Sequence, residues 1–173
     1  MEENVSQATV KSVSIKWGLI TSVVSIVVFL IPILLGKNPF AEKMWGWIGM
    51  GISVVLLVLA HKDFKDNGNG YMSYGQGFGI AFWSGLIATI IPGMFSYIYA
   101  EIIDPSVMEG FYQVQRETME AAGNMPDNQV DIAIEWTQKL FWPMYLVIAI
   151  VGTIFVGLIV TIFTQKRNPQ PNY

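Results

Sequence analysis

Four long runs without a charged residue constrain this chain more than any other feature of its sequence. They cover residues 17–35, 44–60, 78–100 and 141–163. As helices rising about 1.5 Å per residue, they would be roughly 26 to 34 Å long, which matches a hydrocarbon core of about 30 Å. An open strand this apolar could not satisfy its backbone polar groups in lipid. Each run is therefore predicted to be a transmembrane helix.

Composition excludes several other classes of protein. Charged residues make up 13% of the 173 residues, and mean hydropathy is +0.45, whereas soluble domains carry about 25% charged residues. The absence of cysteine and the single histidine, His61, exclude disulfide frameworks, thiol nucleophiles and multi-histidine metal sites. The net charge of the chain is −3, whereas proteins that bind nucleic acid usually carry a basic surface. We therefore predict no nucleic-acid partner. We predict no catalytic residue, no cofactor and no metal site.

The orientation in the membrane follows from the lysines and arginines near the ends of the runs. With the N-terminus in the cytoplasm, six basic residues lie inside (Lys11, Lys16, Lys62, Lys65, Lys166, Arg167) and four lie outside (Lys37, Lys43, Arg116, Lys139). Basic residues favour the cytoplasmic side. The sequence therefore predicts a multi-pass membrane protein with both termini in the cytoplasm.

The segment 104–140 between the third and fourth runs is predicted to be external and helical. Asp104 is expected to cap a helix whose first residue is Pro105, and Gly123 is expected to end it. One face of this helix is apolar (Val107, Met108, Phe111, Tyr112, Met119, Ala122). Helices that lie on anionic lipid usually have a lysine-rich polar face, whereas the polar face of this helix is acidic. We therefore expect this helix to cap the outer end of the bundle. The alternative is that it lies among lipid headgroups. A second helix is expected from about Pro126 into the fourth run.

Small residues recur every four positions along the third run. They are Gly77, Ala81, Gly85, Thr89 and Gly93. Such a stripe allows another helix backbone to approach closely, which is a common basis of helix association in lipid. The partner helix could belong to the same chain or to a second copy. The stripe is our predicted helix-packing site.

Three prolines interrupt the predicted helices, and we expect a kink at each. They are Pro32, Pro92 and Pro143, and each removes one backbone hydrogen-bond donor from its helix. Interrupted helices also occur at the substrate sites of transporters. None of the four runs contains an ionisable residue, which disfavours proton-coupled carriers, pumps and voltage sensors.

The segment from Asp66 to Phe78, with the sequence DNGNGYMSYGQGF, resembles a known family. The chain is similar to the domain of unknown function 4199 family, small four-span membrane proteins found mainly in the Bacteroidota. Its members show a glycine turn, a hydrophobic–Ser–aromatic–Gly–Gln step into the third span and a Tyr-Ile-Tyr-like end, as at residues 97–99. The resemblance covers nearly the whole chain. It implies an inner-membrane location and no particular activity.

The sequence thus predicts an all-α integral membrane protein with four transmembrane helices in one domain, residues 1–173, and an external amphipathic segment. Besides the bilayer, the expected partner is a second copy or another membrane protein. The leading functional hypothesis is a non-enzymatic structural or accessory subunit that self-associates or partners an envelope enzyme. A small-solute channel or carrier is the alternative. A membrane enzyme using interfacial carboxylates such as Asp63 or Glu101 is a third possibility.

Overall fold

Helices account for nearly all regular structure in the part of the chain that the computed structural model describes, residues 8–123 and 126–169. The α-helices are α1 (Val10–Leu34), α2 (Lys43–Asp66), α3 (Tyr74–Ile98), α4 (Ser106–Ala122) and α5 (Asp127–Thr164). A π-helical turn, Tyr99–Ile103, joins α3 to the α4 connection. Four of the helices are long and apolar enough to cross a membrane. The predicted all-α fold with four spanning helices and a further amphipathic helix is confirmed.

The spanning helices are longer than the charge-free runs. α1 begins at Val10, where Thr9 and Ser12 form a capping box, and α3 begins at Tyr74 with a second capping box from Ser73 and Gln76. α5 is a single helix of 38 residues, about 57 Å long. It therefore combines the predicted second external helix with the fourth span and extends well beyond a hydrocarbon core of about 30 Å.

We call the end of the bundle where α1 begins and α5 ends the terminal end. There the Ala8 N–H donates to the Asn67 carbonyl at 3.0 Å. Met72, before α3, and Lys166, after α5, exchange backbone hydrogen bonds of 2.8 and 2.9 Å. These contacts join the segments that flank all four spanning helices.

The helices do not pack equally against one another. α1 packs most extensively on α3, and α3 packs on α5. α2 packs chiefly along α1, and its buried residues are confined to its last third (Ala60, His61 and Phe64). α2 is therefore attached to α3 and α5 mainly at the terminal end. Closer to α4, a space remains between α2 and α5.

The other end of the bundle, the α4 end, is covered by the first half of α4. Val107, Met108 and Phe111 are buried in a cluster around Ala100. The ring of Phe40, from the α1–α2 loop, packs against both Phe111 and Phe141, with ring centroids 6.3 and 5.2 Å away. In the second half of the predicted apolar face, Met119 is only partly buried and Ala122 is exposed.

The start of α4 differs from the prediction by one residue. The helix begins at Ser106, and Pro105 precedes it. The Asp104 carboxylate accepts a hydrogen bond of 2.5 Å from the Ser106 hydroxyl and does not cap a backbone N–H. The predicted end is correct, since Gly123 follows the last turn with φ of +63°, a conformation that suits glycine.

Candidate functional site

The small-residue stripe of α3 lies against α5 of the same chain. A Cβ atom added at Gly77 would lie 2.7 Å from Thr161 Cγ2, and one added at Gly85 would overlap Thr153 Cγ2. Such overlaps show that threonine side chains of α5 occupy the space that a Cβ atom would need on α3. The stripe residues thus have a partner helix within the chain.

The other three stripe residues contact α5 as well. Ala81 faces Gly157, whose added Cβ would lie 2.9 Å from the Ala81 Cβ. The Thr89 and Thr153 hydroxyl oxygens are 3.5 Å apart. A Cβ added at Gly93 would lie 3.4 Å from Leu146 Cδ2, an ordinary contact. The packing is therefore tightest from Gly77 to Gly85 and looser towards the α4 end.

The three prolines lie inside helices. Pro32 is two residues from the end of α1, whereas α3 continues past Pro92 to Ile98 and α5 continues past Pro143 to Thr164. Because Pro92 has no amide hydrogen, the Ala88 carbonyl lacks the donor that a regular helix would provide. Ala88 lines the cavity described next.

A cavity of about 920 Å³ occupies the space between α2 and α5. α1 contributes Trp17 and Thr21 to its inner wall. α3 contributes five residues, Ala81, Ser84, Gly85, Ala88 and Thr89. α2 lines it from Gly46 to Ala60, and α5 from Trp136 to Val156. No ionisable Asp, Glu, Lys, Arg or His side chain is among the lining residues. Its size lies at the upper end of the range of about 300–1,000 Å³ that ligand pockets occupy.

Hydroxyl groups interrupt the apolar lining of the cavity. They belong to Thr21, Ser53, Ser84, Thr89, Thr137, Tyr145 and Thr153. Ser53, Ser84 and Thr137 donate to carbonyls of their own helices, as hydroxyls in helices commonly do. Within the described residues, the hydroxyls of Thr21 and Tyr145 have no hydrogen-bond partner. These two groups are free to bind a ligand that carries an oxygen acceptor.

His61 is a buried residue that the sequence analysis did not single out as a site. It is fully buried between α2, α3 and α5. Its Nε2 lies 2.9 Å from the Gly77 carbonyl oxygen, and its Nδ1 lies 2.7 Å from Thr164 Oγ1. Nearby, the Lys65 ammonium donates to the Thr164 carbonyl at 2.9 Å. His61 directly follows the second charge-free run, and no spacing signal in the sequence links it to Gly77 and Thr164.

The carboxylates considered for interfacial chemistry are engaged in hydrogen bonds. Asp63 accepts from Lys16 at 2.9 Å, from the Trp17 indole at 2.8 Å and from the Asn67 amide at 2.8 Å. Glu101, in the π-helical turn, accepts from the Trp142 indole at 2.6 Å. Among residues 8–123 and 126–169, no cluster of three His, Cys, Asp or Glu residues has the spacing to hold a metal ion.

α4 and the first part of α5, residues 127–140, form a helical hairpin that we call the acidic hairpin. Arg116 of α4 donates to Asp131 of α5 at 2.7 Å and lies 3.7 Å from Glu120. The hydrogen bond and charge of Asp131 raise the pKa of the Arg116 guanidinium. At the base of the hairpin, the pKa of the Tyr112 hydroxyl is raised. Burial is the larger cause, and the negative charge of Glu101 is the smaller one.

Comparisons with known proteins place the chain at the level of a family. No curated protein and no solved structure matches it. A family model described as "Protein of unknown function (DUF4199)" matches residues 16–164. The match begins in α1 and ends at the last residue of α5, so it includes the α3 stripe, the cavity and the acidic hairpin. The chain, a multi-pass membrane protein, therefore belongs to the DUF4199 family.

Proposed function

We propose that this protein is a non-enzymatic structural or accessory subunit of the bacterial inner membrane, with both termini in the cytoplasm, that self-associates or partners an envelope enzyme. The observation that carries the proposal is the acidic hairpin. It extends beyond the spanning part of the bundle and exposes most of its carboxylates. A helical element of this kind is suited to binding another protein.

Charge indicates the chemistry of that partner. From residue 104 to residue 140 the sequence has seven carboxylates and two basic side chains, a net charge of −5 against −3 for the whole chain. Surfaces of opposite charge accelerate encounter and favour correct partners. A partner with a basic surface next to the membrane fits this hairpin. Self-association requires a different face, and the α3 stripe is not that face because α5 covers it.

Affinity purification of the tagged protein from its native membranes, in mild detergent, tests the proposal. Mass spectrometry should identify a stoichiometric partner or a homo-oligomer. The double variant Glu109→Lys and Glu117→Lys alters two exposed carboxylates of the hairpin and should release a hetero-partner. Lys11→Glu with Lys62→Glu changes the net charge by the same magnitude, with the opposite sign, at the terminal end, and this variant should retain the partner. Recovery of the wild-type chain as a monomer without partners would contradict the proposal.

A small-solute channel or carrier is the second candidate, and the cavity is the observation that favours it. Seven hydroxyl-bearing side chains line a space of about 920 Å³ between spanning helices. Purified protein in proteoliposomes should then accelerate the flux of at least one uncharged solute over empty vesicles. We rank this function second because most of the lining is apolar and offers a hydrated solute few hydrogen bonds.

A further inference from the structure

We propose that the cavity between α2 and α5 is a binding site for one membrane lipid, with an acyl chain in the cavity and an ester carbonyl near Tyr145. This inference goes beyond the accessory role and does not depend on it. The lining residues follow α2 and α5 over most of the predicted spans, so the site lies at the depth of the hydrocarbon core. The cavity is partly open between two spanning helices, and a lipid chain can enter from the bilayer.

The length of the cavity suits a flexible lipid chain. Its lining runs along α2 from Gly46 to Ala60 and along α5 from Trp136 to Val156, about 20 to 30 Å along the helix axes. This length approaches the thickness of a hydrocarbon core of about 30 Å. An acyl chain can lie along the cavity over this distance.

The chemistry of the lining also fits a lipid. No charged side chain lines the cavity, so hydrocarbon meets no buried charge there. The free hydroxyl of Tyr145 lies four residues after Phe141, where the predicted fourth span begins. Trp136 and Phe141 line the same end of the cavity, and aromatic residues of this kind favour the membrane interface. The Tyr145 hydroxyl can donate to an ester carbonyl at that level.

Two glycines allow the cavity to be filled selectively. Gly46 of α2 and Gly152 of α5 both line it, and an added Cβ at either position meets no atom within 4 Å. Because a Cβ atom is free of contacts at both positions, we expect leucine there to reduce the cavity without displacing the backbone of a neighbouring helix. Gly51 of α2 is also open but does not line the cavity. Gly51→Leu is thus a matched control for the change of glycine to leucine in a spanning helix.

The experiment uses full-length protein reconstituted in vesicles of phosphatidylethanolamine and phosphatidylglycerol, extracted in a delipidating detergent and measured by native mass spectrometry. We expect the wild-type protein and Gly51→Leu to retain one phospholipid per chain. Gly46→Leu and Gly152→Leu should reduce its occupancy about tenfold. Equal retention in all four proteins, no retained lipid in the wild type, or a dimer in which a second copy excludes the lipid would each overturn the proposal.

A second pair of variants keeps the test decisive if the leucine variants fold poorly. Tyr145→Phe preserves the ring and removes the hydroxyl. It should weaken retention of the lipid by about three- to tenfold, the usual effect of one hydrogen bond. Tyr97→Phe makes the same chemical change at an exposed tyrosine outside the cavity and should have no effect. Identical loss of lipid in both phenylalanine variants, or no loss in either, would contradict the assigned position of the ester.

Discussion

The His61 Nε2 atom lies 2.9 Å from the Gly77 carbonyl oxygen, which connects the last third of α2 to the first turn of α3. A carbonyl can only accept, so Nε2 carries a hydrogen and donates it. The other ring nitrogen meets the Thr164 hydroxyl at 2.7 Å. One imidazole therefore holds α2, α3 and α5 together at the end of the bundle where α2 is attached.

Replacement of His61 should loosen this attachment. His61→Ala removes two hydrogen bonds and leaves a cavity, and we expect it to lower the free energy of unfolding by about 2–4 kcal/mol. His61→Phe retains a ring of similar size without the hydrogen bonds and should cost about half as much. Titration with SDS in mixed micelles, followed by circular dichroism, measures both variants. A His61→Ala variant as stable as the wild type would show that the imidazole does not hold the three helices.

A methyl group at Gly85 should conflict with Thr153. The added Cβ of Gly85→Ala would overlap Thr153 Cγ2, and overpacking of this kind costs about 1–3 kcal/mol. Thr153→Ala removes that methyl group, so the double variant should be more stable than Gly85→Ala alone. The SDS titration of all four proteins gives the coupling energy. Gly51→Ala, with no neighbour within 4 Å, should be at least as stable as the wild type, because alanine favours a helix more than glycine does.

Two buried serines of α1 should respond in opposite ways to replacement by alanine. The Ser14 hydroxyl is buried without a hydrogen-bond partner within the described residues, and burial of such a group is unfavourable. Ser14→Ala should therefore preserve or increase stability, by up to about 1 kcal/mol. The Ser22 hydroxyl lies 2.8 Å from the Gly18 carbonyl and 3.2 Å from the Ile87 carbonyl. Ser22→Ala should lose about 1 kcal/mol. The same stability change in both variants would contradict this difference.

The helices were predictable because their signals are local. A run without charges long enough to cross lipid permits few structures besides a helix, and the periodicity of Val107, Met108 and Phe111 predicts which face of α4 is buried. The exact boundaries were less predictable. Capping by Thr9 and Ser73 extends α1 and α3 into polar sequence, where hydropathy no longer marks the helix.

The contacts between helices were less predictable, because they depend on residues far apart in the chain. The spacing of the stripe predicts a packing face, but Gly85 alone does not specify whether Thr153 or a second copy covers it. The cavity is a consequence of where α2 lies relative to α5, and no motif encodes that placement. His61 is a single polar residue at the end of a run, so its burial depends on Gly77 and Thr164 being beside it.

Asn38 should control the docking of α4 on the bundle. Its side-chain amide donates to the Val107 carbonyl at 2.6 Å, while its side-chain oxygen accepts from the Phe40 and Ala41 amides. Asn38→Asp keeps the acceptor and places a negative charge against the Val107 carbonyl. Hydrogen exchange of the first turns of α4 should become about tenfold faster, because this part opens more often.

A second asparagine provides the control for that measurement. The Asn69 side-chain oxygen accepts from the Tyr71 amide, and Asn69→Asp preserves this role. Hydrogen exchange in α4 should be unchanged in this variant. Exchange in α4 that stays at the wild-type rate in Asn38→Asp would mean that the apolar cluster around Ala100 holds α4 without the asparagine.

The orientation in the membrane can be tested with single cysteines, since the chain has none of its own. Lys62→Cys places a thiol at the terminal end, and Glu117→Cys places one on the acidic hairpin; both positions are exposed. The excess of basic residues at the terminal end predicts that this end is cytoplasmic. A membrane-impermeant maleimide should therefore label Glu117→Cys in intact spheroplasts and Lys62→Cys only after permeabilisation. The reverse pattern would put the hairpin in the cytoplasm, where an envelope partner could not reach it from outside.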